Sequence, residues 1–327
     1  MKNKLLVPIY FKFGTTVGYN DNVFKFSDSE KNNSNSYNYM GNSINYDSSI
    51  IKPEFRILYS PKIFKNNTSN FIFFASSSNY SSVIDKNGLY LSFRFEYKIG
   101  SYNWLKVSYK STRNNFLRYY LDADVPTDEY LKCDYDSESL LVSYSVNLKK
   151  YGWLRFGLSS GSQFFNPNFT EFDLDINRGE LKYYFNIKDF NASILLWTDI
   201  AKNTTYANGL SSTAFDRSYK SSALSFKISK KINRYFEKLN IEYRFGNRSY
   251  LSESLSDPLH SGRSHFEQSF SASILKELRN DISLELKYKV RFRRTDSEFD
   301  WVETLKTFSD NQIKVKMTYY TEMDLFY

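Results

Sequence analysis

Lys287, Lys289, Arg291 and Arg293 recur at every second position of one segment, and Glu285 is the only acid in the same series. Like charges on one parity of an extended segment project from one face. The chemistry open to them is electrostatic: a row of basic groups concentrates anions along the surface that carries it. Lys314 and Lys316 repeat the pattern in the last segment of the chain, and Lys12 falls on the matching parity of the first.

Catalytic chemistry has few candidates. His260 and His265 are the only histidines, with Ser264 and Ser269 close by. A serine hydrolase needs its serine and histidine fixed side by side and oriented by a third group. A histidine in a loop and a serine on a polar wall do not supply that geometry, so no catalytic residue is expected. Two histidines match no zinc-ligand spacing. Asp122, Asp124 and Asp128 lack the glycine and terminal glutamate of a calcium loop, so no metal site is expected either. Cys133 is the sole cysteine, which excludes an intramolecular disulfide. With no phosphate-binding loop, dinucleotide fingerprint or nucleic-acid motif, neither a cofactor nor a nucleic-acid partner is expected.

The elements that must hold these charges are strands. Ile9, Phe11, Phe13, Thr15, Val17 and Tyr19 alternate with Tyr10, Lys12, Gly14, Thr16 and Gly18, a period of two. About fourteen such runs cover the chain, from Ile9–Tyr19 through Lys52–Ser60, Leu89–Ile99 and Trp104–Tyr120 to Ile282–Thr295 and Asn311–Tyr327. The third and ninth are the least regular, because Phe71–Phe74 and Ile194–Trp197 are apolar on both parities. Aromatic residues make up 19% of the chain, including 28 Tyr and 29 Phe, yet mean hydropathy is −0.54. A thin apolar outer band around a polar interior accounts for both. No apolar run approaches the roughly 18 residues of a transmembrane helix.

The connections alternate in length. Long polar segments at Asn20–Asp47, Leu121–Asp134, Asn203–Arg217, Leu251–Ser264 and Asp296–Ser309 are interleaved with tight links such as Lys188-Asp189. That asymmetry is expected of an antiparallel up-and-down transmembrane β-barrel with long external loops and short periplasmic turns. Asn20–Asp47, rich in Asn and Ser, reads most simply as a mobile external loop. The fold expectation is all-β: a single transmembrane barrel domain over residues 1–327. Met1–Ile9 is basic, but its apolar run is too short for a secretory signal, so a signal removed or a longer precursor is expected.

Placing the apolar parity against lipid sends the basic groups inward, since Lys or Arg facing hydrocarbon near the midplane costs about 2–4 kcal/mol. The expected pore-lining set is Lys12, Lys287, Lys289, Arg291, Arg293, Lys314 and Lys316. Elsewhere Glu54/Arg56, Arg94/Glu96 and Glu242/Arg244 are expected to neutralise one another. The net charge is +8, and the long loops lean acidic, so the basic excess belongs to the wall.

Two segments carry resemblances. In Gln312–Tyr327, apolar side chains sit at Ile313, Val315, Met317, Tyr319, Met323, Leu325 and Tyr327, and the run ends on an aromatic. It resembles the C-terminal signature of Gram-negative outer-membrane β-barrels, which implies that Tyr319, Met323, Leu325 and Tyr327 form the assembly signal read by the barrel-assembly machinery. Gly18-Tyr19-Asn20-Asp21-Asn22-Val23-Phe24 resembles the opening hairpin of porin-like barrel families and of the barrel domains of surface-lipoprotein translocators. These resemblances imply residence in the bacterial outer membrane among lipid and lipopolysaccharide. The functional expectation is a pore for passive passage of small polar solutes with a mild anion preference. The alternative is the barrel of an export or surface-assembly system, a conduit or anchor for a periplasmic or surface protein partner.

Overall fold

A computed structural model describes residues 6–33, 37–63, 67–121, 129–207, 216–232 and 235–326. Fourteen antiparallel strands form its wall. They are β1 Leu6–Asn20, β2 Ser48–Tyr59, β3 Asn67–Tyr80, β4 Gly88–Ile99, β5 Asn103–Leu121, β6 Tyr130–Asn147 and β7 Trp153–Phe165. There follow β8 Leu174–Ile187, β9 Phe190–Asn203, β10 Tyr219–Lys231, β11 Lys238–Tyr250, β12 Ser264–Arg279, β13 Ile282–Asp296 and β14 Phe308–Phe326. Each strand pairs with its sequence neighbours, and β1 pairs along its whole length with β14, from Leu6 opposite Phe326 to Asn20 opposite Gln312. That last ladder closes the barrel and leaves no free edge.

Alternation sorts the side chains as a two-sided solvent demands. Phe13, Val17 and Tyr19 point outward from β1, and Leu158 on β7 is 73% exposed. Their immediate neighbours Gly14 and Thr16 are covered inside. Where both parities are apolar, the inner face has its own use. Phe71 and Phe73 share the outer face with Phe95 and Phe93, while Phe74 turns in and meets Tyr90 edge to face, with ring centroids 5.7 Å apart. Trp197 turns in from β9 and carries the guanidiniums of Arg244 and Arg178 at 4.5 and 5.8 Å.

Short turns and long loops segregate to opposite ends. The β8–β9 link is Lys188 and Asp189 alone, with Lys188 at φ 49°, the positive φ that a two-residue hairpin requires. At Gly152 (φ +112°) a Cβ would meet the Tyr184 carbonyl at 2.0 Å, so that turn admits only glycine.

Two expectations are corrected. The segment Tyr130–Asp134, read as the end of a long polar loop, is the first part of β6. Past the lipid the outer face of a strand meets water, so Asp134 and Asp136 break no rule there, while Leu131, Cys133 and Tyr135 on the other face pack against Phe165 and Phe169. Nor does Asn20–Asp47 hang free outside. Asn22 turns the chain inward, donating from Nδ2 to the Ser309 and Phe26 carbonyls, both at 2.8 Å, and accepting from Phe26 N at 2.8 Å. Val23, Phe24, Phe26 and Met40 then pack with Val83 and with Phe116 of β5 into one buried cluster. A helical turn, α1 (Asp28–Lys31), is closed by a capping box between Ser27 and Glu30. Glu30 meets Arg118 of β5 in a buried ion pair, and Arg118 also donates to the Phe24 carbonyl at 3.2 Å.

Candidate functional site

The inner wall of β12–β14 and β1 carries the basic groups singled out by parity, and the structure divides them. Arg291 donates to Asp310, with Nε at 2.7 Å, and Arg293 pairs with Glu267 at 2.8 Å. Lys316 reaches Glu54 on β2 by passing over β1. The strand between them has Gly14 at that point, where a Cβ would lie 3.2 Å from Glu54 Oε2 and 3.4 Å from Lys316 Cε. Three of the seven expected pore-lining groups are therefore neutralised. Lys287 and Lys314 stand directly opposite each other across β13–β14, and Lys289 faces Gln312. Lys314 donates to Gln312 at 2.8 Å, and the Lys12 ammonium sits 5.0 Å from the Tyr320 ring. Among the described residues no carboxylate lies within 4.0 Å of the Lys12, Lys287, Lys289 or Lys314 ammonium.

The expected same-strand pairs fare unevenly. Arg94 and Glu96 approach to 3.6 Å, joined by Lys106 at 3.1 Å. Glu54 pairs with Lys52 and Lys316 rather than Arg56. Glu242 accepts from Ser225, and Arg244 lies on Trp197. Groups two apart on one strand are separated by a full pleat, whereas groups on adjacent strands stand closer, so neighbouring strands supply the better partners.

A second basic site lies where the long loops meet. A cavity of about 400 Å³ at this end is bordered by Lys25 of the first loop, Lys86 of the second, Arg217, Arg263 and Lys306 of later loops, and Arg118, Arg248 and Arg293 of the wall. Among the described residues Glu171 is the only carboxylate on its border. Aromatic rings hold the guanidiniums flat: Arg263 on Tyr250 at 4.0 Å, Arg248 on Tyr219 at 4.1 Å, and Arg217 on Phe165 and Phe172, each at 4.8 Å. Burial pushes the Lys25 ammonium well below its ordinary range, with Arg291, Lys86 and Arg293 adding repulsion. The same causes bring Lys86 down to about 8 and Lys306 to about 7, with Arg291 and Arg118 crowding the first, and Arg118 and Arg263 the second.

Of these groups, the expected pore-lining set contained only Arg293. Lys25, Lys86, Arg217, Arg263 and Lys306 sit in loops, which parity cannot aim. One signal was present: Val23-Phe24-Lys25-Phe26 is an apolar cluster inside an otherwise polar loop.

The two histidines border this chamber. His260 Nδ1 contacts both oxygens of Asp257 at 2.9 and 3.0 Å, and Asp257 also accepts from Asp216 N at 3.0 Å, stapling two loops together. His265 Nδ1 meets Thr295 Oγ1 at 2.9 Å across β12–β13. Among the described residues no three His, Cys, Asp or Glu groups converge to hold a metal. Asp122, Asp124 and Asp128 lie outside the described residues. On β14, Tyr319 and Met323 face outward, Leu325 pairs through its backbone with Val7, and Tyr327 lies outside the described residues.

No family model matches the sequence, and no curated protein does. Solved structures do match in fold. The trimer form of OmpT, an outer membrane protein of Vibrio cholerae, superposes with a TM-score of 0.50 at 9% identity, over 96% of this chain and 99% of that one. An anion-selective porin from Comamonas acidovorans gives 0.45 at 7% identity, over 98% and 100% of the two chains. The fold is that of an outer-membrane β-barrel. Its closed wall, outward aromatic band and segregated loops place it in the bacterial outer membrane among lipid and lipopolysaccharide.

Proposed function

We propose that the barrel is a passive outer-membrane pore for small polar solutes, with a mild preference for anions. The observation that carries this reading is the set of luminal lysines, Lys12, Lys287, Lys289 and Lys314, that have no carboxylate within ion-pair distance among the described residues. Basic groups along a water-filled passage lower the energy of an anion relative to a cation at the same place. The loop-end chamber, with eight basic residues and one acid on its border among the described residues, adds a positive potential at the outer mouth. In this reading His260 and His265 act as loop and strand fasteners and the barrel does no chemistry. Tyr319, Met323, Leu325 and Tyr327, on one parity of the sequence, serve as the assembly signal, and residues 1–327 work as one barrel domain.

Planar-bilayer recording under a KCl gradient tests the proposal. A reversal potential on the chloride side supports it. A firm potassium preference sinks the anion claim, and a folded barrel that never conducts sinks the pore.

A further inference from the structure

We propose that the chamber at the loop end is a binding site for a small solute bearing two or more phosphate or carboxylate groups. The cavity of about 400 Å³ and its border, not the lysine stripe lower in the wall, define it. This rests on the channel reading for its purpose, but the site itself stands on separate observations.

The first is charge without compensation. Among the described residues no carboxylate lies within 4.0 Å of a charged nitrogen of Arg217, Arg248, Arg263, Lys25 or Lys306, although the wall nearby pairs its arginines closely, as Arg293 does with Glu267. Gathering like charges in an enclosed space is unfavourable unless an opposite charge joins them. The second is unmet hydrogen bonding. Arg263 is only 5% exposed, yet among the described residues its Nε has no acceptor, and neither does the buried Nη1 of Arg217. Buried donors of this kind are rare in native proteins, and each calls for a partner. The third is backbone strain. Lys25 adopts φ 59°, a conformation few L-residues take, held by the Asn22 turn so that its side chain borders the chamber. Strain at an inward-aimed charged residue is a hallmark of a functional position.

The ligand class follows from the donors. A guanidinium offers a planar fork of N–H groups that matches the paired oxygens of a phosphate or carboxylate, and stacking on Tyr250 and Tyr219 fixes the plane of two of them. Cations from several loops and strands around one cavity exceed what a single monoanion can satisfy. A multiply charged oxyanion spanning them satisfies more.

Isothermal titration of the folded barrel in detergent at pH 7, with pyrophosphate and inorganic phosphate as probes, tests the inference. Saturable pyrophosphate binding, at least about tenfold tighter than phosphate, is expected. Citrate in a parallel titration tells carboxylate from phosphoryl preference. Arg263→Gln should weaken pyrophosphate by about tenfold or more. Because Arg263 is buried, Lys25→Asn serves as a second variant: asparagine tolerates the left-handed backbone and removes only the charge. It too should lose affinity. No saturable binding, equal affinity for the two probes, or a Lys25→Asn barrel that binds as well as the parent would overturn the site. Conductance recorded alongside separates the two readings: a conducting barrel without binding loses the site alone, and a silent barrel that binds loses the pore alone.

Discussion

Lys316 and Glu54 pair across an intervening strand, on β14 and β2 respectively, because the residue between them on β1 is Gly14. Any larger residue there would crowd both side chains. The bridge lies over the seam that closes the barrel and removes one positive charge from the luminal stripe. Glu54→Gln should release that charge while leaving the ladder intact. The expected outcome is an increase of about twofold in chloride-over-potassium permeability, read from the reversal potential. An unchanged ratio would mean that the seam lies off the ion path.

Lys287 and Lys314 face each other with no acid between them, so they are the strongest test of the stripe. The double change Lys287→Glu and Lys314→Glu takes the local charge from +2 to −2. Selectivity should invert to cations, and the inverted preference should fade as salt rises and screening shortens the reach of the charges.

The ion pair between Glu30 and Arg118 holds the first loop inside the mouth. Both groups are buried, so removing one leaves the other without compensation. Glu30→Ala should cost the loop roughly 3–5 kcal/mol of local stability. Hydrogen exchange should then rise in the segment from Asn20 to Asn33, while β7 and β8 stay protected. Uniform loss of protection would instead mean that the loop and wall form one cooperative unit.

These contrasts explain what the sequence could disclose. A lipid face and a water face impose a period of two on every strand, so the fourteen strands and the closing β14 were legible from alternation. Tyr130–Asp134 escaped because lipid no longer constrains a strand that rises past it. The basic stripe on β13 was legible as a set of positions, but its pairing was not. Whether Lys316 is free depends on Gly14, a residue 302 positions away whose missing side chain opens the path. The chamber was least accessible. Lys25, Arg217 and Arg263 are aimed by turns such as that at Asn22, and by packing of Phe24 and Phe26 on Phe116, which are contacts of long range.

The chamber lysines couple ligand binding to pH. Lys306 is lowered to about 7 by burial together with Arg118 and Arg263, against the opposing pull of Glu30 and Tyr250. Its protonated fraction therefore grows as pH falls through 7, and an anion that prefers the protonated form raises that pKa in return. An ethane disulfonate, whose own charge does not titrate in this range, should bind about threefold to tenfold tighter at pH 6 than at pH 8.5. Lys306→Gln should flatten the dependence. Lys86, brought down to about 8, titrates in the same sense, so a residual slope in that variant is expected from it.

His260 works in the opposite direction, on stability rather than binding. Burial pushes it down to about 4, with Arg263 and Arg217 also opposing its charge, while Asp257 pulls upward. An unfolded histidine titrates near 6.5, so between pH 6.5 and about 4 the unfolded loop binds the proton that the folded loop refuses. Stability from this group is thus present above 6.5 and is lost as pH falls toward 4, by at most about 3 kcal/mol. Exchange in the loop Leu251–Arg263 should quicken over that window. In His260→Gln the same loop should show an exchange rate that no longer depends on pH beyond the intrinsic chemistry. If the two proteins respond alike, the Asp257–His260 staple is not what acid releases.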